Sequence, residues 1–461
     1  MKKINLIFAV VILTTFVPCN SQMTQEKKKP NIIFIMADDL GYAQLGSYGQ
    51  EKIKTPNIDK LAEEGMKFTN FYAGNTVCAP SRASLVTGKH PGHAAVRKNY
   101  EIKGPDRNTF LGQLPLPEEE VTFFEILKNA GYATGSFGKW GLGRADSEGG
   151  PNKQGVDEFF GYNCQRHAHS YYPRYLEANN GEKIPLKGNY RQPFGAQYSH
   201  SLIIDRSLDF IKENKRAPFF LYLPVAIPHY NYEIPDQGIY EDKDWEAYKR
   251  IQAAMITLLD TDVGRVMNLL RELNIDDNTL VIFTSDNGGH NGYPDQDIGS
   301  FFKTNGALRG YKSELYEGGL RVPLIARWPG KIRAGSQSEH IGAFWDVLPT
   351  FAEISGQATP EDCDGISFLP ELFGKKQPKH DYLYWEYYGH KGAKALRKGK
   401  WKVVQKNLNK DLNAPIELYN LDTDIGETEN LTDKYPDLVS EFTEQMKAEH
   451  TPSEHFEFRG K

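Results

Sequence analysis

The chain has 461 residues, of which 12% are aromatic and 25% are charged, and its formal net charge is −5. This composition is that of an ordinary globular protein, and the length allows one large domain or two. Because no basic stripe with interleaved aromatic residues occurs, nucleic acid is excluded as an expected partner.

The N-terminus has the pattern of a secretory signal. A basic start precedes an apolar run over residues 4–17, and small polar residues follow, so we predict a signal peptide over residues 1–21. A membrane anchor is the alternative, but this run is shorter than the ~20 residues that a spanning helix needs. We expect a secreted or periplasmic mature chain without a transmembrane segment. A lipid anchor on Cys19 is a second alternative, which Pro18 disfavours.

Short apolar runs alternate with amphipathic segments along most of the chain. Buried strands are predicted over residues 31–37, 134–138, 218–225 and 280–284. Helices are predicted over residues 55–65, 121–130, 202–212 and 245–273. This alternation predicts an α/β sheet covered by helices.

The composition changes near residues 370–380, and the patterns beyond are shorter. Strands are predicted over residues 382–385, 395–396, 401–404 and 417–421, followed by a helix over residues 436–449. These segments predict a small antiparallel sheet with one helix. We therefore expect a catalytic domain over residues 30–375 and a C-terminal α+β subdomain over residues 380–461.

The most informative stretch is CAPSRASLVTG at residues 78–88. It resembles the signature C-x-P-S-R-x-x-x-L-T-G of the formylglycine-dependent sulfatases, with six fixed positions of the right type in eleven and Val86 in place of the leucine. The alternative is a buried cysteine before an ordinary helix. The resemblance extends over about residues 30–431, and it implies a large mixed, mostly parallel sheet with a small C-terminal antiparallel sheet.

The resemblance also implies how Cys78 would act. A formylglycine-generating or anaerobic sulfatase-maturating enzyme would oxidise this cysteine to an aldehyde, whose hydrate is the nucleophile. An unmodified cysteine has no second hydroxyl with which to expel sulfate. The expected cofactors are therefore a formylglycine made from Cys78 and a hard cation.

Hard-oxygen side chains follow two of the predicted strands. Asp38 and Asp39 end the first strand, and Asp286 and Asn287 end the strand over residues 280–284. Ligands gather at the carboxyl ends of strands in open α/β sheets, and such a set suits Ca²⁺, with Mg²⁺ less favoured. Taken alone, these residues could equally form caps and a turn. In sulfatases the matching positions, with that of Cys78, bind calcium.

Four basic side chains match catalytic positions of the family. Pro80 favours a helix start beside Cys78, so Arg82 lies one turn on and could steady the nucleophile. Lys139 lies in a run that resembles G-K-W-H-L-G, and Lys312 precedes a similar family stretch; both would contact sulfate. His229 matches a Pro-His whose histidine protonates the leaving oxygen or binds sulfate. Each residue taken alone could be structural.

The chain departs from the family pattern at Gly141, where a histidine is common. Glycine cannot take up the proton of the second diol hydroxyl. His167 and His169 are the first candidates to replace it, followed by His90 and His93.

A tyrosine-rich segment over residues 162–175 offers substrate contacts. His167, His169 and Arg174 are the candidate substrate-binding residues within it, although the segment could equally be an ordinary loop. Cys164 and Cys363 could form a disulfide in an oxidising compartment, but they lie far apart in sequence, and we leave their pairing open.

These features predict a calcium-dependent sulfatase that acts on sulfated carbohydrates. The first alternative is a phosphoester or phosphonate hydrolase of the alkaline-phosphatase-like superfamily, which Asn287 disfavours because the two-metal members tend to carry Asp-His there. The second alternative is an inactive protein that binds sulfated glycans. Only Gly141 favours the second, and the intact signature at Cys78 opposes it.

Overall fold

The structure is a computed structural model that describes residues 29–103, 110–189 and 195–460. The predicted signal peptide and Cys19 lie outside these residues. The strands, labelled in chain order, are β1 (Asn31–Ala37), β2 (Met66–Phe68), β3 (Phe71–Tyr72), β4 (Glu101–Lys103), β5 (Phe110–Gln113), β6 (Ala133–Lys139), β7 (Glu158–Tyr162), β8 (Tyr175–Ala178), β9 (Lys183–Pro185), β10 (Phe219–Pro224), β11 (Thr279–Ser285), β12 (Leu324–Arg327), β13 (Ser336–Ser338), β14 (Gly342–Ala343), β15 (Leu383–Tyr387), β16 (Ala393–Lys398), β17 (Trp401–Lys406) and β18 (Ile416–Asn420).

The α-helices are α1 (Pro56–Glu63), α2 (Cys78–Thr87), α3 (Phe123–Asn129), α4 (Ser199–Asn214), α5 (Ala247–Glu272), α6 (Ile298–Phe302), α7 (Glu317–Leu320), α8 (Val347–Ser355), α9 (Leu369–Leu372) and α10 (Pro436–Ala448). The predicted central strands are confirmed as β1, β6, β10 and β11. The predicted helices before residue 370 are confirmed as α1, α3, α4 and α5. A helix also begins at the signature cysteine, as expected.

A large mixed sheet forms the centre of the molecule, in the order β13-β2-β12-β11-β1-β10-β6-β7-β8-β9. Its middle strands β11, β1, β10 and β6 run parallel, whereas β12 and β8 pair antiparallel with their neighbours. Every residue of β1 and β11 is buried. Burial on both faces explains why these strands are continuous apolar runs, as is usual for parallel sheets covered by helices.

Helices cover both faces of this sheet, and β1 shows how. Its residues Ile32 and Phe34 pack in one core with α2, α3 and α8. The intervening Ile33 and Ile35 point into a second core with α1, α4 and α5. Successive strand residues point to opposite faces, so this single strand contributes to both cores.

The C-terminal strands β15, β16, β17 and β18 form a separate antiparallel sheet, as predicted. Helix α10 packs on it through Phe442 and Met446, which lie against Tyr384 and Leu418. The fold class inferred from the sequence is confirmed.

The helices and the cysteines bear on two of the sequence predictions. In the part of the chain that the structure describes, no helix is long and apolar enough to cross a membrane. Cys164 and Cys363 are both free thiols, so they are not paired with each other in this structure.

Candidate active site

Two pairs of side chains, which we call the acidic pairs because three of the four are carboxylates, meet at one edge of the central sheet. Asp38 and Asp39 follow β1, and Asp286 and Asn287 follow β11, which is its parallel neighbour in register. All four side chains are buried. The Asp39 N–H donates to Oδ1 of Asp286 over 3.1 Å, and Nδ2 of Asn287 donates to Oδ1 of Asp39 over 2.8 Å. Parallel strands end at the same edge of a sheet, so two distant segments form one cluster.

Helix α2 points its first residue at this cluster. Cys78 is 1% exposed, and its Sγ lies 3.4 Å from Oδ1 of Asp38. Burial and, to a smaller extent, the charge of Asp38 raise the pKa of the Cys78 thiol to about 12, although Lys139 and Lys312 oppose the shift. The start of a ten-residue helix therefore faces the acidic pairs, and its dipole adds partial positive charge there.

Three cations surround the same carboxylates, of which Arg82 and Lys139 are buried and Lys312 is partly buried. Nη2 of Arg82 lies 2.8 Å from Oδ2 of Asp286 and 3.4 Å from Oδ2 of Asp38. Lys139 ends β6, and its Nζ lies 2.5 Å from Oδ2 of Asp38. Nζ of Lys312 lies 2.8 Å from Oδ2 of Asp39 and 3.7 Å from Sγ of Cys78.

These cations set the ionisation of the acidic pairs. Burial alone would raise the pKa of Asp38, but Lys139, His229 and Arg82 lower it overall. Burial and the neighbouring Asp38 raise the pKa of Asp286 to about 6, against the effect of Arg82. Three carboxylates and three cations balance one another, so a divalent cation at this site would leave it positive and suited to an anion.

His229 completes the cluster from the segment that follows β10. It is 1% exposed, and its Nε2 lies 3.6 Å from Oδ2 of Asp39. Its Nδ1 contacts the carbonyl oxygen of Tyr230. Burial and, to a smaller extent, the positive charge of Lys312 hold the pKa of His229 well below its usual value. Asp39 and Asp38 act in the opposite direction, and a negatively charged group bound beside His229 would likewise favour the protonated imidazole.

The donor set fits a hard metal ion. Asp38, Asp39, Cys78 and His229 each offer a ligand atom within 4.8 Å of the others. Oδ1 of Asn287 is buried and has no hydrogen-bond partner among the described residues, which leaves it available as a further oxygen ligand. Carboxylate and amide oxygens suit Ca²⁺ or Mg²⁺, whereas imidazole is not their preferred ligand.

The structure brings His169 to the cluster but places His167 and Arg174 elsewhere. The ring of His169 stacks on that of His229 with centroids 4.6 Å apart. Nε2 of His167 lies 2.9 Å from the carbonyl oxygen of Tyr175, and the Arg174 side chain is exposed. The motif-following histidines His90 and His93 stack on each other, and His93 lies 2.9 Å from Asp364.

The sequence reasoning missed an aromatic group beside Lys312. The ring of Tyr230 stacks on His229 at 4.3 Å and lies 4.9 Å from His290 and 5.3 Å from the 40% exposed Tyr293. Nζ of Lys312 lies 5.6 Å from the Tyr230 ring centroid. Two signals could have found them, because Tyr230 directly follows His229 and His290 comes four residues after Asp286.

Comparison with known proteins assigns the chain to a family. A family model described as Sulfatase matches residues 30–357, and one described as N-sulphoglucosamine sulphohydrolase, C-terminal, matches residues 311–452. The chain is 33% identical to N-acetylgalactosamine-6-sulfatase of Canis lupus familiaris over 77% of this chain and 68% of that protein. It is 29% identical to N-acetylgalactosamine-6-O-sulfatase of Bacteroides thetaiotaomicron over 94% of this chain and 96% of that protein.

A solved structure agrees with these relatives. The crystal structure described as Ps i-CgsB in complex with k-i-k-neocarrahexaose superposes with a TM-score of 0.78 and 29% identity, over 91% of this chain and 92% of that one. The match to the Sulfatase model covers both acidic pairs and the helix that starts at Cys78. The chain belongs to the sulfatase family and is a sulfuric ester hydrolase.

Proposed function

We propose that this protein removes sulfate from sulfated carbohydrates with a formylglycine made from Cys78 and a calcium ion in the acidic cluster. The observation that carries the proposal is the position of Cys78. It lies at the start of a buried helix, between Asp38 and Lys312, where Sγ marks the place of the nucleophilic oxygen. A formylglycine-generating or anaerobic sulfatase-maturating enzyme would be the partner that oxidises it.

The basic side chains would hold the sulfate group. Lys139 and Lys312 approach the nucleophile from β6 and from the loop before α7, and Arg82 lies one helical turn beyond it. Fixed cations in a buried site stabilise charge that develops on the transferring group without reorganising. Their carboxylate partners hold them in place before substrate binds.

A calcium ion and the hydrated formylglycine would supply the remaining chemistry. Asp38, Asp39, Asp286, Asn287 and the modified residue 78 would hold Ca²⁺, which when bound polarises a sulfate oxygen and lowers the pKa of an attached hydroxyl. The hydrated aldehyde at position 78 would supply one hydroxyl for attack on sulfur and a second for the expulsion of sulfate.

Two stacked histidines would handle the protons. We assign to His229, in its protonated form, the donation of a proton to the departing sugar oxygen, because its imidazole is buried beside Asp39. The negative charge of a bound sulfate ester would favour that protonated form. His169 stacks on it and takes the role that glycine at position 141 cannot fill, namely accepting the proton of the second hydroxyl. His167 and Arg174 lie outside this group, and we propose no step for them.

The substrate class is inferred from the relatives. Two of them are named for sulfated N-acetylgalactosamine, and one solved neighbour holds a carrageenan oligosaccharide. We also propose that residues 1–21 direct the chain out of the cytoplasm, with residues 30–375 as the catalytic domain and residues 380–461 as its C-terminal subdomain.

The test is a substrate panel with protein produced alongside a maturation enzyme. We expect sulfate release from at least one sulfated saccharide, including N-acetylgalactosamine 6-sulfate and carrageenan oligosaccharides, and no phosphate release from matched phosphate esters. Phosphate release without sulfate release would support a phosphoester hydrolase, and saccharide binding without either product would support an inactive binding protein.

Asp286→Asn should weaken calcium binding at least about tenfold, because it removes one negative charge from the ligand set but keeps a similar shape. The measurement is isothermal titration of Ca²⁺ into wild type and variant. Asp437→Asn, at an exposed position on α10, is the matched control and should leave the affinity unchanged. An unaltered calcium affinity in Asp286→Asn would remove this residue from the ligand set.

A further inference from the structure

Because Gly141 has no side chain, the side chain of Gln165 can occupy the space beside it. Its φ is +79°, and a Cβ placed on it would lie 2.1 Å from Nε2 of Gln165 and 3.1 Å from Cδ. No ordinary carbon contact is that short, so a side chain at position 141 and the present conformation of Gln165 exclude each other. The amide of Gln165 therefore occupies the space beside the backbone of Gly141. Sulfatases commonly carry a histidine side chain at this position.

The amide of Gln165 is buried without a partner. The residue is 5% exposed, and neither Nε2 nor Oε1 has a hydrogen-bond partner within the described residues. Leaving a buried polar group unpaired destabilises the protein, and this side chain has two such groups. A ligand in an adjoining pocket could pair both atoms if the side chain turns towards it.

Gln165 lines a pocket of about 690 Å³, together with Asn99 and His169. Both of these neighbours connect the pocket to the nucleophile. Oδ1 of Asn99 accepts a hydrogen bond from the backbone N–H of Ala79 over 2.8 Å, and His169 stacks on His229. Asn99 thus links the pocket lining to the residue that follows Cys78, and the pocket volume lies in the range of small-molecule sites.

The pocket also carries a surplus of positive charge. Lys98, Lys103 and Arg459 are among its lining residues, while Arg166 forms an ion pair of 2.6 Å with the lining residue Glu101. Because Arg166 and Glu101 neutralise each other, the lining keeps a net charge of three positive side chains. Such a pocket attracts an anionic ligand, which agrees with a sulfated sugar.

We propose that Gln165 recognises the sugar ring that carries the scissile sulfate. Its NH₂ group donates to one ring substituent and its carbonyl oxygen accepts from another, so the preferred sugar presents an acceptor and a donor side by side, such as two hydroxyls or a hydroxyl and an acetamido group. This inference rests on the proposed function and adds a specificity-determining residue to it. An amide does not exchange protons near neutral pH, so Gln165 binds and orients and does not act as acid or base.

The test compares two substrates in wild type and Gln165→Leu. One is the saccharide of the panel that wild type desulfates fastest, and the other is 4-nitrophenyl sulfate, which has no sugar. We expect the ratio of kcat/KM for the saccharide to that for the aryl sulfate to fall at least about tenfold, which is the loss of one or two hydrogen bonds. The loss should lie mainly in KM for the saccharide. Gln165→Glu, which keeps the shape but loses the donor, should lower the same ratio.

Gln357→Leu, at an exposed glutamine, is the matched control and should leave the ratio unchanged. Thermal denaturation of each variant shows whether it is folded. If Gln165→Leu does not fold, the comparison of the two substrates is made with Gln165→Glu instead. A ratio equal to that of wild type in a folded variant would refute the role of Gln165 and leave the proposed function intact. Absence of sulfate release by wild type from every substrate would refute the proposed function, and this inference with it.

Gly141→Ala tests the same contact from the other side. The new Cβ must displace the Gln165 amide, so we expect a fall of the same ratio similar to that in Gln165→Leu. The double variant should be little worse than either single one, because both remove the same interaction. Additive losses in the double variant would show that Gly141 acts independently of Gln165 and would contradict the proposed coupling.

Discussion

Replacing Cys78 by alanine is expected to abolish sulfate release while the fold remains. We expect kcat to fall by more than about 10⁴-fold, because loss of a covalent nucleophile leaves only binding and fixed charges to act. The fold should survive, since the described contacts of Sγ are long ones, 3.4 Å to Asp38 and 3.7 Å to Lys312. Sulfate release is the measurement, with near-ultraviolet circular dichroism to show that the tertiary structure is kept.

A free cysteine far from the cluster serves as the control. Cys363 is an unpaired thiol whose Sγ contacts the carbonyl oxygen of Gly88, and it contacts none of the acidic pairs in the described structure. Cys363→Ala should therefore keep most of the activity. Sulfate release by Cys78→Ala at a rate near that of wild type would remove position 78 from the chemistry.

The second large effect concerns stability. Nζ of Lys402 on β17 lies 2.9 Å from Oε1 of Glu317 and 3.0 Å from Oε1 of Glu427, and all three side chains are fully buried. Burial raises the pKa of Glu427 to about 7, whereas Lys402 and Arg321 lower that of Glu317 against the effect of burial. The group connects the C-terminal sheet to α7, which begins five residues after Lys312.

Lys402→Met should lower the free energy of unfolding by about 3–5 kcal/mol, because it removes the buried cation that Glu317 and Glu427 share. Arg321 remains paired with Glu317, so the loss falls mainly on Glu427. Lys398→Met is the matched control on the neighbouring strand. Lys398 pairs with Glu441 at 2.7 Å, but the two side chains are 43% and 52% exposed, so its loss should cost less than about 1 kcal/mol. Urea denaturation measures both. Equal losses in the two variants would show that the buried group is not a major support of the fold.

The central strands and the acidic cluster could be predicted because their signals are local. β1 and β11 are continuous apolar runs that end in acidic residues, and parallel strands bring such ends together. Helix α2 could be placed from Pro80 and from Gly88, which ends it with a φ of +71°. The short polar strand β13, with the sequence SQS, shows no such pattern, since its partner β2 rather than its own composition determines it.

The contacts around the pocket could not be predicted, because they depend on tertiary packing. Nothing near Gly141 in the sequence indicates that Gln165, 24 residues later, fills the space over it. The choice between His167 and His169 also required the structure. Only Ala168 separates them, but one ring faces Tyr175 and the other stacks on His229.

The central claim, that Cys78 is converted to the nucleophile of a sulfatase, is tested most directly by the mass of the tryptic peptide over residues 68–82. The protein would be produced alongside a maturation enzyme, with a known sulfatase converted in parallel. We expect a peptide lighter than the thiol form by the difference between a thiol and an aldehyde, and reactive towards hydrazide reagents. An intact thiol at position 78, under conditions that convert the control sulfatase, would contradict the account.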